Sequence, residues 1–141
     1  MGMQEYNLEE YTRVFKALSD KTRLRIINLF LRSGQDLCVC EIIDSLNESQ
    51  YNVSKHLKEL KYAGLIKEKK MGRWVSYGLV APRDAKDEFN KVLFRAIASI
   101  PADLCAKDME FLKARLLLRK EGKCIIGLQS KQWKITRAGL K

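Results

Sequence analysis

The stretch from Glu41 to Gly64 limits the fold of this chain more than any other part of it. Glu41 to Leu46 places Ile42, Ile43 and Leu46 on one helical face, and Asn47-Glu48-Ser49 then interrupts the pattern. Ser49 or Gln50 opens a second helix in which Val53, Leu57, Leu60 and Tyr62 recur, and Gly64 supplies its stop. The other face of that second helix carries Asn52, Ser54, Lys55, Lys58 and Lys61. Two helices joined by a tight turn, the second apolar on one side and basic on the other, form a unit that can hold one helix in a DNA major groove.

The flanking segments complete a recognisable order. Tyr11, Val14, Phe15 and Leu18 predict a first amphipathic helix from about Leu8 to Ala17. Ser19-Asp20 offers a cap for a second helix, Thr22 to Arg32, with Leu24, Ile27, Phe30 and Leu31 along one face and Ser33-Gly34 as its stop. Leu37 to Val39 reads as a short strand. Leu65 to Lys70 and Trp74 to Val80 are strand-like runs joined by Met71-Gly72-Arg73, a hairpin turn suited to phosphate contact. The expected fold is therefore mainly α with a small β-hairpin, an α+β winged helix-turn-helix.

Further along, Phe89, Val92, Leu93, Ala96, Ile97 and Ile100 stripe a helix from about Lys86 to Ile100. That stripe is too apolar for exposure to water, and it predicts a homodimer, with help from the first helix. Asp108 to Arg119 should form another short helix through Met109, Leu112 and Leu116. Two parts are expected: a dimerising winged helix-turn-helix domain over residues 1–118, and a basic tail over 119–141 with no firm period.

Charge agrees with a nucleic-acid partner. The formal net charge is +10, and it is unevenly spread. Residues 47–80 hold seven basic groups against three acidic, residues 120–141 six against one, while residues 1–46 are close to neutral. A positive surface of this kind suits nucleic acid or an anionic membrane. No apolar run reaches the roughly 18 residues a membrane span needs. The acidic beginning, Met1 to Glu10, lacks the basic start and apolar stretch of a secretion signal, so a cytoplasmic protein without a membrane partner is expected. No glycine-rich phosphate loop or nucleophile–histidine pair is visible, and no enzymatic activity is expected.

Cys38 and Cys40 lie directly before the reading unit. Soft thiolates select As(III), Sb(III), Cd, Pb or Zn over magnesium or calcium. Sulfurs sharing such an ion sit roughly 3.5–4 Å apart, given metal–sulfur bonds near 2.3 Å. Side chains two residues apart share a face of a strand but diverge on a helix. Both sulfurs can reach one ion only if this segment is extended or the following helix frays, which links binding to local conformation. The competing expectation is a thiol redox switch, ranked second because so short a spacing strains a disulfide.

The wording of several separated segments resembles one family. Phe15-Lys-Ala-Leu-Ser-Asp-Lys-Thr-Arg-Leu-Arg-Ile27 is similar to the second-helix signature of the ArsR/SmtB metal-responsive repressors, and Leu37-Cys38-Val39-Cys40-Glu41-Ile42 to their arsenic- and cadmium-type inducer motif. Ser49 to Lys58 resembles their recognition helix, and Ala63-Gly64-Leu65-Ile66 with Gly72-Arg73-Trp74 their wing. The resemblance covers about residues 8–100. It implies a homodimeric repressor that binds a palindromic operator and leaves it on binding a metal or metalloid, As(III) or Sb(III) first, with Cd, Pb or Zn as alternatives.

Operator contact is expected from Ser49, Gln50, Asn52, Ser54, Lys55, His56, Lys58 and Arg73, with hydrogen bonding inside the protein as the other role open to His56. The chain also departs from the family pattern. Ile43 stands where arsenic sensors of this type often carry a third cysteine, and residues 1–37 contain none of the extra cysteines of the cadmium sensors. A third ligand would come from Cys105, from Cys124 or from solvent. The family's histidine-rich second site has Asp84, Asp87, Glu88 and Asn90 at hand but no histidine, and is expected to be missing.

Overall fold

Each helix of the reading half begins at a side-chain cap, which fixes where the chain turns. Our computed structural model describes residues 7–80 and 87–140. Helix α1 spans Leu8–Leu18, and the Asn7 side chain accepts from the Glu10 N–H. Helix α2 spans Lys21–Ser33, with Asp20 accepting from the Arg23 N–H at 3.0 Å. Strand β1, Leu37–Cys38, leads straight into α3, Val39–Leu46. Asn47 ends α3 in the left-handed region, at φ 54°. Ser49 then caps α4, Gln50–Tyr62, by accepting from the Asn52 N–H at 3.1 Å.

Strands β2, Ile66–Met71, and β3, Trp74–Leu79, form the hairpin. Met71 pairs with Trp74, so Gly72 and Arg73 make the turn, and Gly72 takes the positive φ of 64° that such a turn demands. The three strands are antiparallel in the order β1-β3-β2, with Cys38 opposite Ser76. This is the winged helix-turn-helix the sequence predicts. Its core is one apolar cluster that includes Ile26, Ile27, Leu29, Leu37, Ile42, Ile43, Val53, Leu57, Leu60 and Leu65.

Helix α5 spans Glu88–Ala98, a 3-10 turn covers Ala102–Cys105, α6 spans Ala106–Leu116 and α7 spans Lys131–Ala138. Of the α5 stripe, Ile97 is buried, Phe89 and Leu93 are half-buried, and Val92 is 51% exposed. Phe15 on α1, 56% exposed, sits edge-on to Phe89 with ring centroids 5.8 Å apart. The part of the α5 expectation at Lys86, and Asp84, lie outside the described residues. No helix among the described residues is long and apolar enough to cross a membrane.

One local expectation is corrected. Helix α3 starts at Val39, between the two cysteines, and not at Glu41. The cause is the buried Glu41 carboxylate, which accepts the Cys38 N–H at 2.8 Å and so begins the helix earlier. The chain beyond Arg119 also folds back on the core. Lys120 and Lys123 pair across a turn, and α7 inserts Trp133, fully buried, against Phe111 at 6.1 Å. One aromatic anchor leaves no repeating apolar pattern for sequence periodicity to detect.

Candidate nucleic-acid interface and metal centre

The caps and core of α4 decide what it offers to a partner. Val53, Leu57 and Leu60 are buried, which leaves Ser49, Gln50, Ser54, Lys55 and Lys58 exposed together on the outer side. Asn52 is half-buried and donates to Glu48 at 3.2 Å. Arg73 is exposed at the tip of the hairpin, its guanidinium 4.9 Å from the centre of the Trp74 ring.

His56 does not join this face. It is only 6% exposed, and its Nδ1 accepts from Arg23 Nε at 3.0 Å. Its Nε2 lies 3.8 Å from an Asp20 carboxylate oxygen. Burial, partly offset by Asp20, holds its pKa below the usual histidine value. Helical spacing puts it with Val53 and Leu60 on the inner side, so its place among the DNA-facing residues is corrected and the internal hydrogen bond is what it makes.

The second site forms where β1 meets α3. Cys38 ends the extended strand, at φ −71° and ψ 151°, and Cys40 falls in the first turn of α3. This junction allows both thiols into one cluster although α3 begins between them. Cys124, from the basic segment, is 8% exposed and completes the cluster, its sulfur 3.5 Å from that of Cys40. Trp74 and Leu128 pack against the three thiols. Cys105 lies apart, half-buried near Asp108 at the other end of α6.

Four charged residues frame the thiols. Arg115, fully buried, donates from Nε to Asp44 at 2.9 Å, also buried, and from Nη2 to the Ile126 carbonyl at 2.9 Å. The same Nη2 stands 3.6 Å from the Cys40 sulfur. Arg119 grips both oxygens of buried Glu41 at 2.7 Å. Glu41 has an oxygen within 4.8 Å of the Cys38 and Cys124 sulfurs, which makes it a geometric candidate as a ligand. Its oxygens are already committed to Arg119 and to the Cys38 N–H, so Cys40 is the better third donor. Sequence reasoning missed these pairs, although Glu41 and Asp44 on one helix and Arg115 and Arg119 on another stand at spacings that let both pairs form at once.

The thiols are not equivalent. The Cys38 thiol hydrogen-bonds Cys40, burial opposes, and Cys124 and Arg115 add their support, so that Cys40 is lowered to about 7. Cys38, spent as a donor to Cys40, is raised, with burial and Glu41 adding to the effect. Burial pushes Cys124 up to about 11, the charge on Cys40 contributing. The cluster can therefore present one thiolate supported by two thiols near neutral pH, a soft nucleophilic site. A cavity of about 300 Å³ reaches Cys38 and Cys124 past Met71, Trp74 and Arg119. A larger cleft, of about 540 Å³ between α1 and α4, contains no thiol.

Comparison with known proteins points the same way. Residues 20–68 match the family described as bacterial regulatory protein, arsR family. The chain is 43% identical over 81 residues to an HTH-type transcriptional regulator of Methanocaldococcus jannaschii, a match that covers 57% of this chain and 88% of that relative. It is 46% identical over 66 residues to an arsenic resistance transcriptional regulator of Pseudomonas putida, covering 47% of this chain and 56% of the relative. Among solved structures, a homodimeric winged helix-turn-helix DNA-binding domain from Mycobacterium bovis superposes with a TM-score of 0.55 at 25% identity, over 73% of this chain and 91% of that one.

Proposed function

We propose that this chain, which belongs to the arsR family of bacterial regulatory proteins, is a homodimeric repressor released from a palindromic operator by a thiophilic metalloid held at Cys38, Cys40 and Cys124. Regulators of this family bind DNA and are not enzymes. The observation that carries the finer reading is the buried gathering of three thiols from two distant parts of the chain. The separation of 3.5 Å between Cys40 and Cys124 matches the roughly 3.5–4 Å expected of two sulfurs on one soft ion.

Charge favours As(III) or Sb(III) among the soft ions. Three thiolates neutralise a trivalent ion, whereas with Cd, Pb or Zn they leave a net negative charge in a buried site. The nearest arginines are already matched by Asp44 and Glu41, so that extra charge would go uncompensated. A thiophilic ion supplies sulfur bonds that tie the three thiols together. The chain's own residues do the rest: Cys40 provides the standing thiolate, Arg115 steadies it, and Cys124 links the C-terminal segment to the start of the helix-turn-helix. Trp74 touches both the thiols and the guanidinium of Arg73, giving the site a direct contact with the wing.

The exposed aromatic and aliphatic side chains of α1 and α5, Phe15 and Val92 among them, support a dimer formed through those helices. Two copies would present two reading helices to a two-fold operator. Sedimentation as a monomer at micromolar concentration would exclude it. For the switch, arsenite is titrated into reduced protein bound to its upstream DNA. Cys38→Ser, Cys40→Ser and Cys124→Ser should each keep DNA affinity and lose the response, while Cys105→Ser responds normally. Release of the Cys38→Ser/Cys40→Ser double variant by arsenite would end this reading. Release by peroxide instead of arsenite would favour the redox alternative.

A further inference from the structure

The sites above leave α7 without a use. Lys131, Lys134 and Arg137 step round this helix by about 60° each, since three residues fall short of a full turn, and so form one basic band. Trp133, fully buried against Phe111, holds α7 to the body from a face about 130° round the helix from the midpoint of Lys131 and Lys134, with Arg137 between. Arg137 donates to the Asn47 side chain at 2.9 Å, which sets the band beside the turn of the helix-turn-helix. Asn47 stands immediately before Glu48 and Ser49, the cap of α4. Lys131 and Lys134 are exposed.

We propose that α7 is an additional DNA-binding element, with Lys131 and Lys134 contacting backbone phosphates next to the groove read by α4. This rests on the reading of α4 as the DNA-facing helix. The charge suits a polyanion, because residues 120–141 carry six basic groups and one acidic group. The Arg137–Asn47 hydrogen bond brings α7 to the turn from which α4 starts, and α4 exposes Ser54, Lys55 and Lys58. Lysine serves phosphate as a point charge and needs no pocket, and a spaced row of lysines fits a spaced row of phosphates. Because Cys124 anchors the same segment at the thiol cluster, this contact would join the two sites through one stretch of chain.

The test is fluorescence anisotropy with a fluorescein-labelled duplex of mixed sequence, titrated with salt. Phosphate contacts do not depend on sequence, so the operator need not be known. K131E/K134E should weaken binding and flatten the plot of log affinity against log salt by about 1.8, two contacts at roughly 0.9 each. K131Q/K134Q should flatten it similarly and guards against charge reversal disturbing the fold, which circular dichroism checks. K107E/K113E makes the same change in net charge on α6 and should move the slope far less. An unchanged slope in both α7 variants, with K58A and R73A each flattening it by about one, overturns the proposal and leaves the α4 reading intact. Equal loss in the α6 and α7 variants overturns it in favour of bulk charge. If K58A and R73A have no effect, the α4 reading falls, and the proposal falls with it.

Discussion

Residues 20–79 and residues 106–140 meet the same core in different ways. The first stretch buries aliphatic side chains in helical and strand rhythm: Ile26, Ile27, Leu29, Ile42, Ile43, Val53, Leu57, Leu60 and Ile66. The second adds Leu112 to that core and packs Trp133 in a smaller cluster with Phe111 and Ala114, but it is keyed to the first by ion pairs of low exposure. Asp108 meets Arg25 at 2.8 Å, Arg115 meets Asp44 at 2.9 Å, and Arg119 meets Glu41 at 2.7 Å. Apolar burial is non-directional and tolerates small shifts. A buried guanidinium–carboxylate pair accepts one geometry and is costly in any other. The C-terminal segment is thus held in a single pose, with Cys124 beside Cys40, by contacts that add little net stability but penalise misplacement.

The largest effect should come from leaving one of those charges alone. Asp44→Ala would leave Arg115 buried without its carboxylate, at a cost of about 3–5 kcal/mol in urea unfolding. Replacing both, as Asp44→Leu/Arg115→Met, should come within about 1.5 kcal/mol of the parent or exceed it, because the paired desolvation cost disappears. The double variant should nevertheless respond more weakly to arsenite, having lost the group that steadies Cys40. If Asp44→Ala unfolds like the parent, the contrast between the two regions is wrong.

Trp133→Ala comes next. A fully buried tryptophan in a cooperative core costs roughly 3–5 kcal/mol on truncation. Helix α7 packs through Trp133 in a small cluster apart from the main core and can undock by itself, which caps the loss at its own docking energy. The expected result is a global loss clearly below that range, together with much faster tryptic cleavage at Lys131 and Lys134. A full-sized loss with no local cleavage would place α7 inside the cooperative core and erase part of the contrast.

The contrast also explains what the sequence disclosed. Every element of the reading half was legible, because Val53, Leu57 and Leu60 repeat with the helix and Gly72 marks the hairpin turn. Cys38 and Cys40 were legible as a pair, but not the means of bringing them together, since Glu41 sets the start of α3 through a contact that spacing does not reveal. Cys124 was one of three open choices for the third ligand, beside Cys105 and solvent. Its burial depends on Arg115 holding the Ile126 carbonyl and on Trp133 docking α7, single long-range contacts with no period to read. His56 falls on the inner side by the helical period, but its polar type groups it with the groove-facing residues, and its partner Arg23 lies 33 residues away on α2.

That histidine gives the smallest effect and the sharpest test of the reading half. His56 is the chain's only histidine, and within the fold its pKa is held below 6.5, chiefly by burial. A protonated ring could not accept from Arg23 Nε and would set a second cation beside that guanidinium. In the unfolded chain the ring takes a proton near the ordinary value of about 6.5. Below that pH the unfolded state binds a proton that the folded state refuses, so stability falls as pH falls. The contribution is present in full above about pH 6.5 and is lost progressively toward the lower folded value. His56→Gln retains an acceptor for Arg23 but does not titrate, so unfolding in urea at pH 7 and pH 5 should show a smaller difference than in the parent. An equal difference in both proteins would mean that acid sensitivity in this window belongs to another group, and the reading half would lose the one buried switchable contact assigned to it.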